Sequence, residues 1–83
     1  MYSIVLSKKA KDQLRKLDFE LQKRIINVLE RMRVRPHSYV KKLVGTKYFR
    51  VRVGKYRIIL DIQNETLIIY VIELGLRKNI YKN

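Results

Sequence analysis

From Tyr2 to Leu6 the chain reads YSIVL, a short β-rich run, and Ser7 then stands where an N-cap opens a helix. In the following SKKAKDQLRKL, Ala10, Leu14 and Leu17 recur at helical spacing. Asp18 caps a second predicted helix, DFELQKRIINVLERMRVR, whose Leu21, Ile25, Val28, Leu29 and Met32 form one apolar stripe; Pro36 ends it. The two helices are nearly contiguous, which predicts an αα-hairpin. A loop is expected from Pro36 to about Lys42. After Gly45 the period shortens to that of a strand: YFRVRVGKYRIILDIQNETLIIYVIEL holds three β-branched and aromatic segments, broken at Gly54-Lys55 and at Asn64-Glu65. The order β-α-α-β-β-β, without strand-helix alternation in its second half, predicts an α+β fold. Its sheet is antiparallel-rich, of about four strands, with the N-terminal helical hairpin packed on one face.

Loop length sets the register of the first hairpin. If Gly54-Lys55 is a two-residue turn, with glycine first as a type II′ turn requires, Val53 faces Tyr56 and Arg52 lies directly opposite Arg57. Alternation then puts Arg50, Arg52 and Arg57 on one face and Phe49, Val51, Val53, Tyr56 and Ile58 on the other, against the helices. Like charges in direct opposition destabilise a sheet by roughly 0.2–1 kcal/mol. Either Asp61 or Glu73 relieves them, or the arginines form a receptor for an anion. Guanidinium groups bind phosphate through paired hydrogen bonds and stay protonated, so several of them suit a phosphodiester whose charge grows in a transition state. Arg77, after Gly75 at the end of the last strand, is expected on the same rim, with Tyr81 four residues further on. Ile59, Ile68, Tyr70 and Ile72 fall on the same face if Asn64-Glu65 is also a tight turn. That apolar patch beside a basic rim predicts a partner chain or a further segment of this chain over it.

Composition narrows the partner. The 83 residues carry 20 Lys+Arg against 7 Asp+Glu and one His, a formal net charge of +13. One domain over residues 1–83 is expected, and 47% hydrophobic residues are enough for a core. The potential of such a surplus attracts phosphate polyanions, anionic membranes or an acidic protein. No apolar run approaches a membrane span and the N-terminus lacks the order of a signal peptide, so a soluble cytoplasmic protein without a membrane partner is expected. The chain has no cysteine, which removes disulfides, zinc-thiolate sites and thiol catalysis. His37 is the only histidine, so no histidine pair can share acid and base roles. The acids are scattered without metal-ligand spacing, and glycine-rich phosphate loops are missing, so no cofactor is expected. Catalysis would have to run on arginine, lysine and tyrosine.

The string GTKYFRVRVGKYRIILDI, followed by LIIYVIELGLRKNIY, resembles the RelE/ParE superfamily of toxins, and the N-terminal VLSKKAKDQLRKLD is similar to the family's opening. Most informative are the YRI after the hairpin turn and the G-x-R-x-x-x-Y that ends at Tyr81. The resemblance spans nearly the whole chain. It implies a toxin of a type II toxin–antitoxin system, and its RelE-like branch implies a ribosome-dependent endoribonuclease, an mRNA interferase. Such an enzyme cuts messenger RNA in the decoding site by attack of a ribose 2′-hydroxyl on its own phosphodiester.

Carried over by residue, Arg50 and Arg52 match basic positions that contact the scissile phosphate or assist proton transfer. Arg57 matches a phosphate-holding arginine, Arg77 an arginine near the leaving oxygen, and Tyr81 a tyrosine that stacks on or orients the substrate. Where some relatives have lysines this chain has Arg50 and Arg52, and an arginine that stays protonated is a poor general base, which favours charge stabilisation for both. The partners implied are an acidic, RelB-like antitoxin, the ribosome and mRNA. The alternatives are a ParE-like inhibitor of DNA gyrase, which needs no RNA chemistry, a basic module that binds nucleic acid without cutting it, and a toxin with a decayed site.

Overall fold

A sheet of five strands in the order β1-β5-β4-β3-β2 carries the molecule, in a computed structural model that describes residues 1–76. The elements are β1 (Ser3–Leu6), α1 (Lys8–Arg15), α2 (Phe19–Met32), a 3-10 turn (Pro36–Ser38), β2 (Lys41–Lys42), β3 (Phe49–Val53), β4 (Tyr56–Gln63) and β5 (Ile68–Leu76). The α+β class and the β-α-α-β-β-β order hold. The sheet has one strand more than expected, because Lys41 and Lys42 pair with Arg50 and Phe49 where a loop was predicted. It is mixed, since β1 runs parallel to β5.

Both helix starts follow from the residues expected to cap them. The Ser7 hydroxyl accepts from the Ala10 amide and the Asp18 carboxylate from the Leu21 amide, each satisfying a donor that the first helical turn leaves open. The α2 stripe is also as read: Ile25, Leu29 and Met32 are buried, Leu21 and Val28 half-buried. They meet Val51, Val53, Ile58, Leu60, Ile62, Ile69, Val71 and Leu74 from the sheet in one apolar cluster.

The two β-turns came out differently. Gly54 has φ +60° and Lys55 is not left-handed, so a two-residue turn closes β3 and β4 with Val53 opposite Tyr56, as the loop length required. Asn64-Glu65 is not a tight turn: Gln63 pairs with Ile68, leaving four residues in the loop, with Leu67 at φ 55°. The β4–β5 register then slips between Ile59 and Leu60, where Glu73 and Val71 are the partners and Ile72 is left over as a bulge. Strict alternation from Ile69 and Val71 would have turned Leu74 outward. The bulge instead points Leu74 into the core and sets Glu73 and Gly75 on the opposite face.

Ser7 ties this irregularity down. While it caps α1, its hydroxyl donates to the Ile72 carbonyl at 2.6 Å, and its amide donates to the Val71 carbonyl at 2.9 Å. Ser7→Ala removes a cap and leaves a bulge carbonyl without its donor, so a loss of about 1–2 kcal/mol is expected. Urea unfolding checks it; a midpoint unchanged from the parent would show that solvent replaces both bonds.

Candidate functional site

In the β3–β4 register Arg52 is the direct partner of Arg57 and Arg50 that of Ile59. The closing pair of a two-residue hairpin exchanges hydrogen bonds, so the next pair, Arg52–Arg57, is a non-hydrogen-bonded one, with Cα atoms about 4.5 Å apart and side chains in the closer relation. The three arginines share the face turned away from the helices. Across from Arg50 on the other side stands Lys41, a second like-charged pair. Next to Arg57 on β5 is Gly75, which presents no side chain.

Among the described residues neither carboxylate expected to relieve this charge pairs with Arg50 or Arg52. Glu73 lies on the same face but is engaged by Lys9 of α1 at 2.7 Å. Among the described residues no ion pair joins Asp61, Arg50 or Arg52 to a partner. The three guanidinium groups differ in setting. Arg52 is exposed, Arg50 half-buried, and Arg57 only 2% exposed. Burial of Arg57 holds its planar fork in one place, the condition under which such a group acts without reorganising. Arg77 and Tyr81, the other two expected site residues, lie outside the described residues.

The apolar neighbours are rearranged too. Ile68 and Tyr70 stand on the outer face as expected, beside Val5 of β1, with Tyr70 40% and Val5 37% exposed. Ile59, expected within an exposed patch, is 5% exposed, and Ile72 occupies the bulge.

His37 takes no part in the basic cluster. Its Nε2 lies 3.0 Å from Asn64 Oδ1, which also accepts from the Tyr2 hydroxyl at 2.9 Å, and its ring meets Phe49 edge-on at 5.4 Å. Asn64 lies seven residues after Arg57, about 20 Å further along an extended strand, so His37 joins the N-terminus to the β4–β5 loop instead. Among the described residues no three His, Asp or Glu side chains come together as a metal site.

Two positively charged residues of α2, Arg24 and Arg31, border the site. A cavity of about 300 Å³ at the hairpin tip is lined by Arg24, Asn27, Val28 and Arg31 of α2 together with Arg52, Val53 and Gly54. A second, of about 290 Å³, is lined by Arg52, Gly54, Lys55, Tyr56 and Arg57. Arg52 lines both, because β2 covers β3 only at Phe49 and Arg50 and leaves Arg52 on an open edge. The Arg24 guanidinium packs over Gly54; a Cβ there would stand 3.4 Å from Arg24 Nη1. Arg24, Val28 and Arg31 recur at helical spacing, a signal present in the sequence, but nothing local says that this flank of α2 meets the turn.

Comparison with known proteins follows the same lines. The family model for the ParE toxin of the type II toxin–antitoxin system, parDE, matches residues 4–81. A search of curated proteins finds no match. Among solved structures, a chain of the RelBE2 toxin–antitoxin complex from Mycobacterium tuberculosis superposes with a TM-score of 0.84 at 20% identity, over 92% of this chain and 98% of that one. The isolated RelE toxin of E. coli gives 0.80 at 20% identity, over 98% and 92%. A chain of the RelB–RelE antitoxin–toxin complex from Methanococcus jannaschii gives 0.71 at 27% identity, over 93% and 94%.

Proposed function

We propose, from the premise that this chain belongs to the ParE toxin family of type II toxin–antitoxin systems, that it acts as a RelE-like one: a ribosome-dependent endoribonuclease that cuts mRNA in the decoding site and stops translation in the cytoplasm. The observation that carries this reading is the direct opposition of Arg52 and Arg57 with Arg50 on the same face. A fold whose sheet had no anion to hold would gain from replacing any of them. Solved structures with the same fold include RelE toxins, free or with RelB.

The chemistry assigned to these residues is charge stabilisation. The ribose 2′-oxygen attacks the adjacent phosphorus, an O2′–P bond forms, the P–O5′ bond breaks, and a cyclic phosphate is left beside a 5′-hydroxyl. The equatorial oxygens gain charge on the way. Arg57, held by burial, and Arg52, at the strand edge, offer paired N–H donors there, and Arg50 adds positive potential. Arg77 is assigned to the leaving oxygen. The proton on the 2′-hydroxyl goes to Tyr81, to a ribosomal group or to water, since no arginine accepts it, and the departing 5′-oxygen, its charge met by Arg77, takes its proton from water.

The antitoxin is expected to be acidic and RelB-like, drawn by a net charge of +13 and seated over the basic cluster and the apolar strip of Val5, Ile68 and Tyr70. Primer extension on mRNA from stalled ribosomes tests the reading: cuts are expected only with the protein and the ribosome together, and free RNA should stay whole. The family name itself favours a second reading, a gyrase inhibitor. Loss of gyrase supercoiling with mRNA left uncut would establish that one and overturn the first.

A further inference from the structure

The arginines on α2 have no role in the chemistry above, yet they border it. Arg24 and Arg31 sit two helical turns apart, about 10 Å along the axis, on one flank of α2. Both line the cavity that Arg52 closes from the β3 edge. Among the described residues none of these three guanidinium groups meets a carboxylate. Arg24 is further fixed by packing over Gly54, where a side chain would crowd it. A neighbouring cavity that shares Arg24 and Gly54 sets Asp18 and Glu20 against Arg24 and Lys55, so its lining is mixed in charge, whereas the charged side chains of the cavity toward Arg31 are all arginines.

We infer that Arg24 and Arg31 form a phosphate track for the single-stranded RNA backbone, continuous through Arg52 with the place where Arg57 holds the reacting phosphodiester. This rests on the endoribonuclease reading and extends it to the neighbouring nucleotides of the substrate. Three features favour a nucleic-acid backbone over an acidic protein segment. The donors are arginines, whose fork matches phosphate oxygens; their spacing asks for an extended polyanion; and Arg52 belongs to both cavities, so a strand leaving the reacting phosphate past the hairpin tip arrives between Arg52 and Arg31. Backbone contacts of this kind bind without reading sequence.

The test uses the full chain and a short single-stranded 2′-O-methyl oligoribonucleotide, which cannot undergo 2′-hydroxyl attack, with affinity measured across a salt series. For the double variant R24Q/R31Q the affinity is expected to fall about tenfold or more at low salt. The slope of log K against log salt should flatten by about 1.4, the release expected for two lost single-strand phosphate contacts. The double variant K11Q/K16Q removes as much charge from α1 and its C-cap, positions that line neither cavity, and is expected to keep the parental slope. Arg31→Gln alone should give half the effect, and because Arg31 does not pack on Gly54 it separates binding from any disturbance of the turn.

Equal flattening in both double variants would reduce the track to diffuse charge and overturn it. Unchanged RNA affinity beside lost binding of poly-L-glutamate would overturn it in favour of an acidic protein partner. The two readings part cleanly: a parent that cuts mRNA on ribosomes while R24Q/R31Q keeps its slope and KM ends the track alone. A parent that cuts nothing while the slope still flattens ends the cleavage reading and leaves the track.

Discussion

Arg57→Ala is expected to lower the rate of mRNA cleavage on ribosomes by about two to three powers of ten, the scale on which enzymes lose rate when one preorganised donor to a developing oxyanion is removed. The expectation is this large because Arg57 is 2% exposed and directly opposes Arg52. A guanidinium already held in place needs no ordering to face the transition state, whereas exposed Arg52 must be ordered first, so Arg52→Ala should cost less. Arg57→Lys keeps the charge but not the fork and is expected to fall between parent and Arg57→Ala. Removing a buried side chain also loosens packing, so the melting temperature of Arg57→Ala must be read beside its rate. A folded Arg57→Ala cutting at the parental rate by primer extension would remove this residue from the mechanism.

Leu60→Ala is expected to cost about 2–5 kcal/mol by leaving a cavity in the core. Leu60 is fully buried on β4, between Phe49 of β3 and Val71 of β5 and beneath the helices. Small domains hold only about 5–15 kcal/mol in total, so this one change should take a large share of the denaturation midpoint. Its activity should fall only as far as its folded fraction falls, whereas Arg57→Ala should lose far more rate than folded fraction. Chemical denaturation followed by circular dichroism measures it; a shift below 1 kcal/mol would mean that the sheet and helices close the void.

Much of the site was readable because it depends on one local device. Two residues between strands leave a single register, glycine accepts the positive φ that the turn needs, and the opposition of Arg52 and Arg57 follows. The caps at Ser7 and Asp18 and the buried stripe of Ile25, Leu29 and Met32 were readable for the same reason, since each is set within a turn or two of helix. The second β-turn was readable only as a break at Asn64-Glu65, because nothing in the Thr-Leu that follows says that the loop runs on to a left-handed Leu67. The bulge at Ile72 was not readable: in LIIYVIEL every position is apolar or β-prone except Glu73, so alternation offers no choice of which residue to skip.

Local rules within this sequence therefore determined the order of elements, where both helices begin, the face shared by Arg50, Arg52 and Arg57, and a positive charge that attracts anions. Only the tertiary structure decided that Arg57 is buried while Arg52 is exposed, that Lys9 takes Glu73 away from the arginines, and that Arg24 and Arg31 border the hairpin tip. The reason is range. Capping, helical period and turn length act over a few residues, whereas which flank of α2 meets the β3 edge is set by how the whole apolar cluster packs, and no short stretch of the chain contains that information.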